Sequence, residues 1–388
     1  MKPHPLFVKR RIFAPGPTPV PQEVLSALAT PPLHHRTKEF DAILGRVWDN
    51  LKFLFGTKQP VYLLSSSGTG AMETAVVNLF AAKDRVLVID GGKFGERWGK
   101  ISKAYGLEVE TLTVEWGESA TPEAVTSILK QHKDIRGVLF QASETSAGTH
   151  HPVKEIAAAV RENSDALVVV DGITAVGVTP LPMDDWGLDV LVSGSQKALM
   201  LPPGLAFLAL SERAKQQQSR VNLPKFYFNL TAEDKAMAKG TTAWTPAVGL
   251  ITGLDVVLQQ LRETGLESIY EFHHRLAEAT RRGVIGMGLE LFATGIPSTA
   301  LTAVKVPEGV AGGKIVSYLR DRFGVTIAGG QEPYKGKIFR LAHLGHYDEL
   351  DVLTILSAVE ITLKHLGREV QLGSGVAAAS QYLMENHS

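Results

Sequence analysis

The chain has 388 residues, 44% hydrophobic and 21% charged, the composition of a globular protein of two or three domains and not of a disordered or fibrous one. Forty basic residues balance forty acidic ones, so no net field favours nucleic acid or an anionic membrane, and no apolar stretch nears the roughly 18 residues that span a bilayer. Cysteine is absent, which excludes disulfides, a thiolate nucleophile and any metal cluster held by the chain's own thiolates.

Residues 1–20 are proline-rich and read as an extended segment centred on Ala14-Pro15-Gly16-Pro17-Thr18-Pro19. The first 13 residues have no continuous apolar core, so they do not read as a secretory signal, and a cytoplasmic location is expected. Helical patterns follow at 21–29 and 37–55. From 60 to 250 apolar runs at 85–89, 109–114, 137–141, 166–170 and 189–192 read as strands, with helical patterns near 70–82, 95–105, 122–132 and 152–162. Such alternation predicts an α/β fold with a mostly parallel sheet. The run 205–210 follows the short turn Pro202-Pro203-Gly204, which admits an antiparallel strand. An amphipathic helix at 246–262 leads into a smaller α+β region, with strand candidates at 299–306, 325–328 and 338–342. The tail from Gly373 is small and polar and is expected to fray. The expected division is an extended segment 1–20, a large α/β domain 21–260 and a small C-terminal domain 261–388.

Two residues stand out at strand ends. Asp171 closes the run 166–170, and Lys197 follows the run 189–192 within Ser193-Gly194-Ser195-Gln196-Lys197. Strand ends of a parallel sheet share one edge, where ligands of open sheets bind. An aspartate and a lysine there suit pyridoxal 5′-phosphate, joined to the lysine amine and with its ring nitrogen held protonated by the carboxylate. Either residue alone reads as a loop lysine or a strand-capping aspartate, and the pair gains its meaning from the further motifs. Ser65-Ser66-Ser67-Gly68-Thr69-Gly70 opens a helix with small residues, a phosphate cradle by composition or a plain N-cap. It lacks the GK[ST] of a Walker A loop. Phe94, in Gly92-Lys93-Phe94-Gly95, can face a flat ring or belong to the core. Thr145, in Ser143-Glu144-Thr145-Ser146, can reach a ring oxygen or close a turn. Arg340 lies in an apolar strand-like run and needs an anionic partner, either a substrate carboxylate or an internal Asp or Glu. The adjacent histidine pairs 34–35, 150–151 and 273–274 diverge on a helix or strand, so no metal site is expected.

The stretches PGPTPVP at 15–21, HRTKEF at 35–40, SSGTGAMET at 66–74, GGKFGERW at 91–98, SETSAG at 143–148, VVVDGITAVG at 168–177, SGSQKAL at 193–199 and GKIFRLAHLG at 336–345 resemble the class V aminotransferases of fold type I. Within the class the chain is similar to alanine–glyoxylate and serine–pyruvate aminotransferases. It is also similar to cyanobacterial proteins catalogued as the small subunit of a soluble hydrogenase, a label at odds with a cysteine-free chain. The resemblance implies Lys197 as the Schiff-base lysine and Asp171 as the pyridinium partner. It implies Ser67, Gly68, Thr69 and Gln196 at the phosphate, Phe94 on the ring and Thr145 at its phenolic oxygen. It also implies Arg340, with Gly16, at the substrate carboxylate, and Thr242 and Thr245 at the phosphate of the other subunit of a homodimer. Thr69, Phe94 and Thr242 stand where the animal alanine–glyoxylate enzymes have His, Trp and Tyr. The implied partners are small amino acids such as alanine or serine and 2-oxo acids such as glyoxylate or pyruvate. Phosphoserine aminotransferases share related signatures. A cysteine desulfurase would need the cysteine this chain lacks, and a subunit without activity would not need both Lys197 and Asp171.

Overall fold

The computed structural model describes residues 8–386. The start of the expected N-terminal segment, residues 1–7, and the last two residues of the tail lie outside them. Seven strands form the main sheet: β1 (Val61–Leu64), β2 (Arg85–Asp90), β3 (Glu108–Thr113), β4 (Ile135–Gln141), β5 (Leu167–Asp171), β6 (Val190–Gly194) and β7 (Ala206–Leu210). Their spatial order is β1-β7-β6-β5-β4-β2-β3. Only β7 runs against its neighbours, as the short turn before it allows. Strands β5, β6 and β7 are buried throughout, which explains why they read as unbroken apolar runs and not as alternating ones.

Helices cover both faces: α1 (Gln22–Leu28), α2 (Lys38–Phe55), α3 (Gly68–Leu79), α4 (Lys93–Ala104), α5 (Pro122–Gln131) and α6 (Val153–Asn163). Their ends follow local chemistry. Thr37 accepts the Phe40 N–H at the start of α2, and Gly56, at φ 58°, closes it in the left-handed region. Thr121 caps α5 and is followed by Pro122 at the first helical position. The buried stripe of α2, including Phe40, Leu44, Val47, Leu51 and Leu54, belongs to the core beneath the sheet.

A second core surrounds a three-stranded antiparallel sheet in which Ile338–Ala342 lies between Leu301–Lys305 and Ala328–Gly329. Arg340 pairs in register with Ala303 on one side and Ala328 on the other. The N-terminal strand Arg11–Ile12 joins Val325–Thr326, and Phe13 packs into this second core. The chain then crosses to the main sheet, where Thr18 Oγ1 donates to the Lys197 carbonyl at 2.8 Å. The 246–262 pattern corresponds to Val248–Thr264, and it is followed by a 21-residue helix, Leu266–Gly286, that the sequence pattern did not single out.

The expectation for the tail is wrong. Residues Ser374–Glu385 form a helix packed against Leu266–Gly286 and Glu349–His365, with Ala379 and Leu383 buried. Glu360 fixes its start by accepting the N–H groups of Gly373 and Gly375, each at 2.7 Å. Polar composition misled because the alanines here pack on neighbouring helices that a linear reading does not bring alongside. No helix among the described residues is long and apolar enough to cross a membrane.

Candidate active site

The carboxyl edge of the sheet gathers the chemistry. Asp171 ends β5 in register with Val192 of β6, so the turn after β6 brings Lys197 to the same edge. Buried Asp171 uses Oδ1 to accept the Ile173 N–H at 2.8 Å. Burial pushes its carboxyl up to about 7, with the Ile173 N–H opposing the rise and Glu144 adding to it. Burial pushes the Lys197 ammonium down to about 8, against the pull of Asp171 and helped by Arg340 and Arg97. Lys197 Nζ donates to the Pro15 carbonyl. Gly16 therefore lies on the lysine: at φ 143° it is left-handed, and a Cβ there would stand 2.5 Å from Nζ. Only glycine fits both demands.

The cradle at α3 is open for a ligand. Ser67 is the N-cap residue but makes no side-chain cap bond. Gly68 admits no side chain, since a Cβ would come within 2.8 Å of Ile173 Cγ1. Its amide lies beside Gly194, and next to that residue Gln196 Oε1 is buried without a hydrogen-bond partner.

Phe94 sits in the first turn of α4, with the Arg97 guanidinium 4.8 Å from its ring centroid. Arg97 also donates to Thr69 Oγ1 at 3.0 Å, which ties the two loops together. Thr145 is buried, and its hydroxyl lies 2.6 Å from that of Thr174, so one hydroxyl proton of the pair is free to point elsewhere. Sequence reading picked out neither Thr174 nor Ile173. Their signal was position alone, since both follow Asp171 within three residues.

Arg340 corrects one alternative left open by the sequence. No Asp or Glu pairs with it among the described residues. Its Nε and Nη2 donate to the Gly329 carbonyl, at 3.1 and 2.8 Å, and Nη1 donates to the Thr145 carbonyl at 2.9 Å. A guanidinium has five N–H donors, so two remain, on a side chain only 6% exposed. Burial lowers it to about 10 while the more distant Glu144 opposes the fall. It is a buried cation awaiting an anion.

Thr242 and Thr245 line a cavity of about 760 Å³ with His35, Arg36 and Lys239, and a small pocket beside Leu64 and Ser65 at the start of the cradle. The Thr242 hydroxyl donates to the Trp244 carbonyl at 2.7 Å, which folds the loop on itself. Among the described residues no group of three or more His, Cys, Asp or Glu side chains could hold a metal.

A carboxylate with Oδ2 to spare, a neutralisable lysine and an open helix N-terminus suit a flat ring that carries a phosphate and a basic nitrogen. Comparison with known proteins gives the same answer. The chain is 42% identical to the "soluble hydrogenase 42 kDa subunit" of Anabaena cylindrica over 96% of its length and 98% of the relative. It is 36% identical to the L-aspartate–glyoxylate aminotransferase of Paracoccus denitrificans (96% and 95% covered) and 35% identical to the serine–glyoxylate aminotransferase of Methylorubrum extorquens (97% and 97%). The solved structure of the ureidoglycine–glyoxylate aminotransferase of Bacillus subtilis superposes with a TM-score of 0.92 at 30% identity, over 97% of this chain and 98% of that one. The family model for aminotransferase class V matches residues 12–341, and the chain therefore belongs to the class V aminotransferases, a family dependent on pyridoxal 5′-phosphate.

Proposed function

We propose that this enzyme moves the amino group of a small L-amino acid, alanine or serine, to glyoxylate or pyruvate, with Lys197 and Asp171 as its catalytic pair. The observation that carries the substrate reading is Arg340, a buried guanidinium with two free N–H donors and no carboxylate partner among the described residues. One α-carboxylate is what alanine, serine, glyoxylate and pyruvate each present to it, in the bidentate manner guanidinium favours. Glyoxylate is also the acceptor named for three of the relatives above, while their donors differ.

When bound, pyridoxal phosphate supplies a ring that takes up the electron pair released at the amino acid's α-carbon. Lys197 Nζ carries the cofactor at rest and then, as a free amine, moves the proton of that α-carbon. Its depressed basicity leaves an appreciable neutral fraction near neutral pH. Asp171 Oδ2 holds the proton at the ring nitrogen, Oδ1 being occupied by Ile173. Phe94 covers one face of the ring and Thr145 bonds its phenolic oxygen. Ser67, Gly68, Thr69 and Gln196 hold the phosphate. Gly16 keeps the substrate side clear and lets Lys197 swing. Thr242 and Thr245 serve the phosphate of a second subunit, which makes a cytoplasmic homodimer the working unit.

A second reading, a dicarboxylic donor such as aspartate, is favoured by Arg97. This second cation reaches Thr69, and one relative is named for aspartate. A panel of alanine, serine, aspartate, glutamate and phosphoserine against glyoxylate, pyruvate and 2-oxoglutarate decides between them. Alanine or serine with glyoxylate should be fastest. Glutamate, aspartate or phosphoserine faster by tenfold or more would overturn the small-donor reading and leave the cofactor chemistry standing.

A further inference from the structure

Glu144 carries no role in the site described so far, yet it is its most heavily bonded side chain. The carboxylate is fully buried. Its Oε2 accepts the N–H groups of Phe94 and Gly95 at 3.1 Å each, and Gln141 Nε2 at 2.7 Å. Its Oε1 accepts the Ser146 N–H at 3.0 Å and the Ser146 hydroxyl at 2.5 Å. Burial pushes the carboxyl up from its usual range, and the donors from Ser146, Gly95 and Phe94 oppose that rise.

Two of those donors are first-turn amides of α4, groups that a helix leaves unsatisfied unless something caps them. The N-cap residue is Gly92, which has no side chain to do so. Nor is there room for one, because a Cβ on Gly92 would stand 2.5 Å from Glu144 Cδ. The cap is supplied from the neighbouring strand end instead, by the carboxyl oxygens of Glu144 at the positive end of the helix. Phe94 is both a capped residue and the ring-stacking residue. The Glu144 main chain meanwhile accepts the Ala147 and Gly148 amides, closing the turn whose Thr145 carbonyl holds Arg340. Ser146 completes the loop by accepting the Lys93 N–H at 3.0 Å.

We propose that Glu144 is a positioning residue, its carboxylate clamping the start of α4 so that Phe94 is pre-set against the cofactor ring. The proposal rests on the reading of Phe94, Asp171 and Lys197 given above. A clamp acting through Phe94 makes a specific demand on energetics: once Phe94 is gone, loss of the clamp should matter little to cofactor binding. A residue that merely supported the fold would cost cofactor binding about as much without the Phe94 ring as with it.

The test is a double-mutant cycle of Glu144→Gln and Phe94→Ala, read as the dissociation constant of the cofactor-free protein for pyridoxal phosphate by absorbance titration. Each single variant should weaken binding by about tenfold. The double variant should be no more than about twofold weaker than Phe94→Ala alone. Ser146→Ala, which removes one hydroxyl from the same network, goes through the same cycle and should show a smaller loss with the same non-additivity. Additive losses, giving about a hundredfold in the double variant, would overturn the proposal, as would wild-type affinity in Glu144→Gln. Lys197→Ala is the control for the underlying reading. If it kept the wild-type visible absorption band, the site itself would be wrongly placed, whatever the cycle gave.

Discussion

Replacing Asp171 with asparagine should have opposite effects on the empty and the loaded enzyme. Ionising a carboxyl raised from an ordinary 3.8 to about 7 works against the fold. Between pH 3.8 and 7 the folded state holds a proton that the unfolded chain has released, so stability falls as pH rises through that window. The cost amounts to about 4 kcal/mol at pH 7 and above, and to less than half of that at pH 5. An asparagine side chain can keep the bond from the Ile173 N–H through its amide oxygen and carries no charge to desolvate. Cofactor-free Asp171→Asn should therefore be more stable than the parent by up to a few kcal/mol at pH 8, and by distinctly less at pH 5. Urea unfolding at the two pH values measures this. Addition of pyridoxal phosphate should reverse the order. The parent gains a charge-assisted bond to a ring cation, about 1.5–3 kcal/mol, which corresponds to roughly tenfold to a hundredfold in affinity. Turnover in the variant should fall by at least tenfold. Equal destabilisation by the asparagine at pH 5 and pH 8, or an unchanged affinity for the cofactor, would refute the reasoning.

Arg340→Ala should raise KM for amino donor and oxo acceptor alike by more than tenfold, measured by steady-state kinetics with both substrates varied, because one guanidinium serves both half-reactions. Thr245→Ala should weaken cofactor binding in a dimer, and sedimentation at falling concentration should show activity lost as subunits separate; a fully active monomer would contradict the shared site. The rate of cofactor uptake by the empty protein should rise with pH and level off above about 8, following the Lys197 amine, since only its neutral form attacks. Truncation after residue 372 should lower the melting temperature by several degrees, because it uncovers the faces against which Ala379 and Leu383 pack and leaves Glu360 buried without its two N–H donors.

The strands around Asp171 and Lys197 were legible because strands covered on both faces are apolar throughout and leave continuous runs in the sequence. Given those runs, parallel pairing alone brings the two residues to one edge. Arg340 was legible as an oddity, a cation in an apolar strand, yet its partners were not. They are the carbonyls of Gly329 and Thr145, and a backbone acceptor leaves no mark in a side-chain pattern. The same reason hid the capping of α4, where the glycine at position 92 is explained by the side chains of Ser146 and Glu144 packed across from it. Gly16 could be read as a turn residue, but its closeness to Lys197 depends on a crossing between two cores that no local spacing encodes. The C-terminal helix was missed because its apolar face is narrow and alanine-rich, and it becomes a core face only against Leu266–Gly286 and Glu349–His365.

The central claim is that Lys197 carries the cofactor. Sodium borohydride reduction of the yellow loaded enzyme, followed by proteolysis and mass spectrometry, tests it directly. The reduced pyridoxyl group should appear on the peptide that contains Lys197, with no such label in Lys197→Ala. Label on any other lysine, or a yellow band in Lys197→Ala that borohydride still fixes to the protein, would contradict it.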